Sequence, residues 1–225
     1  IEGLPAGVPI LDEDLQQALA RRRLGYGRRA RMKFEQDLIS LSSGIRFGLS
    51  QGGPIAIRIA NTEWPKWETV MSAAPVDPEQ LSGGRAAPLT RPRPGHADFT
   101  GMQKYGFDEA RPVLERASAR ETATRVALGA IAQKFLSELG IELVTHTIAI
   151  CSAISIAESL PSPNALAYLH ADPVTCFHHA DPDTMLAEID DLSPTGDAVG
   201  GLWQTRVSGC RSVLARYVPA ARRLT

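Results

Sequence analysis

A histidine framed by glycine, proline and arginine is the residue of this chain best placed to move a proton. The run reads Arg91-Pro92-Arg93-Pro94-Gly95-His96-Ala97-Asp98. Pro92 and Pro94 fix two backbone φ angles and hold the segment extended. Gly95 permits a turn that most residues cannot make. His96 follows at once, so a stiff loop presents its ring near solvent, where an imidazole gains or loses a proton close to neutral pH. Asp98, two residues on, is placed to orient the ring. The competing reading is a loop histidine that satisfies a backbone carbonyl. Further along, Arg116-Ala117-Ser118-Ala119-Arg120 opens a helical pattern. Free N–H groups at a helix start attract anions, and flanking arginines add charge-assisted hydrogen bonds. The competing reading there is a well-capped core helix with surface arginines. A proton donor beside an anion cradle suits chemistry on a phosphorylated substrate.

A second cationic cluster lies near the start. From Arg21 to Lys33 there are seven basic residues and no acidic one. The Tyr26-Gly27 turn between Arg22 and Arg28 would let both guanidinium groups face one pocket. Paired guanidinium forks suit a ligand that carries a carboxylate and a phosphate. A solvated basic face or a nucleic-acid patch is the alternative. His146 falls in a strand pattern and reads as a core or edge residue. His170, Cys176, His178 and His179 match no zinc spacing, so no metal is expected. Trp64 and Trp67 read as packing residues. There is no GxGxxG and no GxxxxGK[ST] run, so a nucleotide site here would not be built on a Rossmann or P-loop turn.

The elements that would carry these residues follow from periodicity. Asp12 starts a helix with Leu15, Ala18 and Leu19 on its apolar stripe and arginines in its last turn. Met32 to Leu41 reads as a strand. Ile55, Ile57 and Ile59, alternating with Ala56, Arg58 and Ala60, read as another, after the Gly52-Gly53-Pro54 turn. Residues 71–95 are rich in Pro, Gly, Ala and Ser, and read as the loop that delivers His96. Ser118 to Leu139 is a helix with a Ser118/Glu121 capping box, an apolar face from Ala123 to Phe135, and Gly140 as its stop. Ile141 to Ile150 is a strand. Pro161, Pro163 and Pro173 break up the next segment, and Asp181 to Leu192 is a short helix.

Composition narrows the classes. The chain has 225 residues, 44% hydrophobic and 22% charged, with a net charge of -1. That is ordinary for a soluble globular protein. No apolar run approaches the roughly 20 residues a membrane span needs, and no secretory leader is recognisable at the start. Cys151, Cys176 and Cys210 form no CxxC pair and read as reduced thiols of a cytoplasmic protein. A balance this near zero does not mark a nucleic-acid magnet.

The Arg-Pro-Gly-His-Ala-Asp run, the Lys104-Tyr105-Gly106 that follows, the Arg116-Ala-Ser-Ala-Arg-Glu-Thr122 run and the earlier Arg22-Arg-Leu-Gly-Tyr-Gly-Arg28 resemble signature segments of chorismate synthase. The likeness runs from about Glu2 to about Gly201. It implies an α+β fold, a layered β-α-β sandwich, in homotetramers. It implies a 1,4-anti elimination of phosphate from 5-enolpyruvylshikimate 3-phosphate that gives chorismate on the shikimate route to aromatic amino acids. Reduced flavin mononucleotide is the implied cofactor, with NADPH a candidate reductant. By the same resemblance His96 is the catalytic histidine that protonates the flavin. Arg22 and Arg28 bind substrate, and Arg116, Ala117 and Ser118 contact the flavin. Arg29 departs from a glycine common at that place in the motif.

The resemblance also implies partners that this chain does not display. A Gly-Glu-Ser-His-Gly segment belongs just before Ile1, and after Gly201 the family continues with a glycine-rich apolar segment and a second half. Residues 1–201 are expected to form the N-terminal part of one domain. The tail, residues 202–225, carries five arginines and no acid from Ala198 onward, and is expected to be a divergent, frame-shifted stretch. Two other classes stay open: a non-catalytic anion- or nucleic-acid-binding fragment using Arg21 to Lys33, and an inactive assembly fragment.

Overall fold

The computed structural model describes residues 1–27, 36–117, 119–155, 159–177, 182–192 and 199–210. The chain divides into two compact units. The first comprises Ile1–Arg22 and Ala30–Ala130, the second Arg23–Arg29 and Ile131–Thr225.

In the first unit, helix α1 (Asp12–Arg22) begins with three acids and ends with two arginines, as the helix dipole favours. Its stripe buries Leu15 and Leu19 completely. Strand β1 (Ile39–Ser43) pairs antiparallel with β4 (Ala56–Ile59), with Leu41 opposite Ile57 and a bulge before Ser43. The alternation read from Ile55 to Ala60 is therefore present. Of the strand expected over Met32 to Leu41, residues 32–35 lie outside the described residues, 36–38 are not in a strand, and Ile39 to Leu41 belong to β1, which runs on to Ser43. The physical reason is Asp37, whose φ is +48°, a left-handed conformation that no extended strand passes through.

Between β1 and β4 the short strands β2 (Ile45–Arg46) and β3 (Leu49–Ser50) form a hairpin. Its two linking residues, Phe47 and Gly48, both have positive φ, which suits the right-handed twist of the strands. The N-terminal segment lies along β3. Gly7 donates to Ser50 O, Ser50 donates to Val8 O, and Ile10 donates to Gly48 O. Gly44 is obligatory at the β1–β2 corner, because a Cβ there would stand 2.5 Å from Pro54 O.

Three helices follow the long loop: α2 (Asp98–Tyr105), α3 (Arg111–Arg116) and α4 (Ala119–Glu138). Ala123, Ala127, Ala130 and Ile131 of α4 are buried, as its apolar stripe requires, and Gly140 at φ +70° follows its end. Ser118 of the expected capping box lies outside the described residues. The Glu121 carboxylate accepts from Arg125 one turn on.

In the second unit, β5 (Glu142–Ile150) is the central strand of an antiparallel sheet, flanked by β6 (Ala153–Ile154) and β7 (Gly201–Ser208). The β5–β7 register runs from Glu142 opposite Ser208 to Ile150 opposite Gly201, with an irregularity between Thr147 and Ala149. Helix α5 (Leu166–Ala171) is short, as the flanking prolines predict, and α6 (Pro182–Leu192) follows. Met185, Leu186 and Ile189 of α6 pack with Ile150, Ala153, Val174 and Cys176. Thr147 ties the sheet to the turn before Cys176, donating its hydroxyl to Val174 O at 2.6 Å. Among the described residues no helix is long and apolar enough to cross a membrane.

Candidate active site

The His96 loop is built around one buried carboxylate. Asp98, the first residue of α2, has no solvent exposure. It accepts from Arg93 N at 3.0 Å, from Arg93 Nε at 2.8 Å and from Arg93 Nη2 at 3.0 Å. The prolines on both sides of Arg93 make this clasp cheap in conformational entropy, since little backbone freedom remains to lose. Gly95, at φ +65°, turns the chain between clasp and helix. The Arg93 hydrogen bonds hold the Asp98 carboxyl well below the usual carboxylate range, against the opposing effect of burial. The same pairing raises the Arg93 guanidinium above its ordinary value.

His96 joins this pair through one ring nitrogen. Its Nδ1 lies 3.0 Å from Arg93 Nη2 and 3.0 Å from Asp98 Oδ1. The side chain is 29% exposed, so the ring is anchored at one edge and accessible elsewhere.

Beside this loop, α2 and α3 enclose a cavity of about 420 Å³. Its wall includes Ala97, the residue after His96, together with Arg116 and Ala117. Tyr105 and Phe107 line it too, their ring centroids 5.7 Å apart, and Lys104 stands 5.3 Å from the Tyr105 ring. The helices meet closely because Gly101 has no side chain: a Cβ there would stand 2.4 Å from Val113 Cγ1. Apolar walls with a lysine and an arginine among them suit a flat aromatic ligand with an anionic end.

The long loop before His96 is also held by Trp67, Arg85, Glu109 and Arg111. Arg111, itself buried, donates to Ala87 O at 3.0 Å and lies over Trp67 at 5.6 Å. Arg85 lies over the same ring at 5.9 Å. Glu109 accepts from Leu89 N at 3.1 Å, and Ala110 donates to Leu89 O. Trp67 is thus flanked by two guanidinium groups. The one signal for it in the sequence was the clustering of tryptophan and arginine around a proline-rich loop.

The other expected site residues are placed as follows. Arg22 donates Nη1 to Asp37 Oδ2 at 2.9 Å, with side-chain exposures of 5% and 0%. It is therefore part of a buried ion pair and not of a solvated basic face. Arg28 and Ser118 lie outside the described residues, as do His178 and His179. In the second unit, Tyr26 donates its hydroxyl to Asp190, 2.9 Å from either carboxylate oxygen, and its N–H to Pro173 O. Gly27 sits so close to Ile189 that a Cβ would stand 3.2 Å from its methyl. His146 is buried in β5, with Nε2 3.1 Å from Gln204 Oε1, as a core residue would be.

Known proteins place this chain in a family. The family model for chorismate synthase matches residues 1–225. The curated chorismate synthase of Paenarthrobacter aurescens (strain TC1) is 59% identical over 227 residues, an alignment covering 100% of this chain and 57% of that protein. That of Beutenbergia cavernae is 60% identical over 227 residues, with the same shares. A crystal structure of chorismate synthase is similar with a TM-score of 0.64 at 29% identity, over 92% of this chain and 52% of that one. The chain spans a little over half the length of the curated relatives it matches. The fold is accordingly α+β of the chorismate synthase type. The family model's match over the whole chain and the identity of the curated relatives agree, and the chain belongs to the chorismate synthase family.

Proposed function

We propose that this chain serves the chorismate synthase reaction, the 1,4-anti elimination of phosphate from 5-enolpyruvylshikimate 3-phosphate. A C–O bond to the leaving phosphate and a ring C–H bond break, one C=C bond forms, and no net electrons are consumed. Reduced flavin mononucleotide, if bound here, would supply a transient electron source and a proton acceptor for that elimination. The residues of the α2–α3 cavity fit such a group: flat apolar walls from Tyr105 and Phe107, and cationic ends at Lys104 and Arg116. Arg116, Ala117 and Ser118 would hold it. Arg28, and Arg22 from within its ion pair with Asp37, would bind the substrate's carboxylate and phosphate. His96 would hold and move a proton at the cavity's edge, on a loop that Asp98 keeps in place. The apolar wall would keep water from the reacting atoms. A cytoplasmic homotetramer is part of the same reading.

The observation that carries the proposal is the cavity wall that runs from Ala97, next to His96, to Arg116 and Ala117. Release of phosphate from 5-enolpyruvylshikimate 3-phosphate, measured with anaerobically reduced flavin mononucleotide, tests it. The expected result is flavin-dependent release that falls on the order of 10²–10⁴-fold in His96→Ala, the usual span for a lost proton-transfer group. Release indifferent to flavin or to His96 would overturn it.

A further inference from the structure

We infer that Arg111 is a positioning residue for the α2–α3 cavity: it does not line the cavity, but it sets how the two helices stand to each other, and so how tightly they hold a flat aromatic anion. This rests on the reading of the cavity as the flavin site, and adds a residue outside that site on which its affinity depends.

The base of the His96 loop is tied to the start of α3 at three points. Glu109 Oε2 accepts from Leu89 N at 3.1 Å, Ala110 N donates to Leu89 O at 2.9 Å, and Arg111 Nη2 donates to Ala87 O at 3.0 Å. The chain between these ties, residues 90–108, carries the Arg93–Asp98 clasp and the whole of α2. Directly after them α3 gives Pro112, Val113, Arg116 and Ala117 to the cavity. Both walls therefore leave from one clip. Of its two side-chain ties, that of Arg111 is the better shielded from water: the side chain is 10% exposed, against 35% for Glu109.

The place of Arg111 in the sequence points to the tie and not to the helix. Arg111 is the first residue of α3, where a cation opposes the helix dipole, and no acid stands in that turn. Its contact with Glu109 is long, 4.0 Å from Nε to Oε2. The guanidinium is held instead by the Ala87 carbonyl and by the Trp67 ring, 5.6 Å away. Burying a cation on such partners costs desolvation, so its gain lies in the fixed direction of its planar fork. Helix α3 needs that direction. It has six residues, well short of the ~12–15 that hold a helix alone in water. Its orientation is set by the ties at its first turn and by the close contact of Val113 with Gly101 of α2.

Two measurements on the full 225-residue chain test this. They use Arg111→Met, which keeps the length and removes the donors, and Arg111→Lys, which keeps a cationic donor. The first is titration with anaerobically reduced flavin mononucleotide. In Arg111→Met the dissociation constant rises about tenfold, as when the binding-competent arrangement falls to roughly one-tenth of the molecules. Arg111→Lys recovers part of the loss. A residue that only stabilises the fold would lower the unfolding temperature and leave the constant of the folded protein unchanged, and that result overturns the inference. The second is backbone hydrogen exchange without flavin, which quickens across both 98–105 and 111–116 in Arg111→Met while β1 and β4 keep their rates. Unchanged exchange in those two helices overturns it as well, read in Arg111→Lys if Arg111→Met does not fold. The flavin reading fails separately, if the unsubstituted chain binds no reduced flavin mononucleotide; exchange then decides the role of Arg111.

Discussion

At Asp98 a carboxylate with no solvent exposure takes three N–H groups from Arg93 and touches His96. Replacing it with asparagine removes the charge and leaves the shape. We expect Asp98→Asn to cost about 1–2 kcal/mol at neutral pH, the low end for charge-assisted hydrogen bonds because Arg93 is half exposed. The cost depends on pH in a definite direction. The folded-state carboxyl titrates below its ordinary value of 3.8, so its contribution is full above that value and is lost as pH falls below it. Urea unfolding at a series of pH values should show the wild-type and variant curves converging in acid. A gap that stays constant to the most acid point would contradict this account. The sequence made Asp98 legible as the ring's orienting group, because a short Gly-His-Ala-Asp spacing leaves few other partners. Arg93 was not legible as the ring's direct neighbour, since nothing in a Pro-Arg-Pro run says that the guanidinium folds back across the turn.

Helices α2 and α3 owe their close approach to Gly101, where a Cβ would stand 2.4 Å and 2.7 Å from the two Val113 methyls. Gly101→Ala should therefore destabilise by about 1–3 kcal/mol through overpacking, despite alanine's better helix propensity. Thermal unfolding measures this, and a variant as stable as the parent would show that the helices part without cost. The segment at Tyr26 offers a second check at this scale. The hydrogen bond to Asp190 raises the Tyr26 hydroxyl above its ordinary value of 10.0, so this tie persists below that pH and is lost as the phenol ionises in stronger alkali. Ultraviolet titration should show Tyr26 and Tyr168 ionising late, and Asp190→Asn should bring Tyr26 alone back toward the ordinary value. Element types were readable from periodicity: α1, β4, α4, β5 and α6 stand where their apolar spacing puts them. β1 begins only after Asp37, whose left-handed φ and pairing with Arg22 a local pattern cannot encode.

On the scale of the whole molecule, the family is fixed by a match over all 225 residues, while the relatives extend well beyond the length shared here. The near-neutral charge conceals an uneven distribution, yet the basic run near the start is not simply a solvated face, since Arg22 is buried against Asp37. What the sequence alone could not supply was the α2–α3 cavity, which arises from the packing of two short helices around a glycine. The central claim is that this cavity, at the edge of the His96 loop, is where the flavin lies. Backbone hydrogen exchange with and without anaerobically reduced flavin mononucleotide tests it most directly. The account predicts slowed exchange in residues 97–107 and 112–117, diminished in Arg116→Ala, with β5 and β7 unchanged. Protection confined to other segments, or none at saturating flavin, would contradict it.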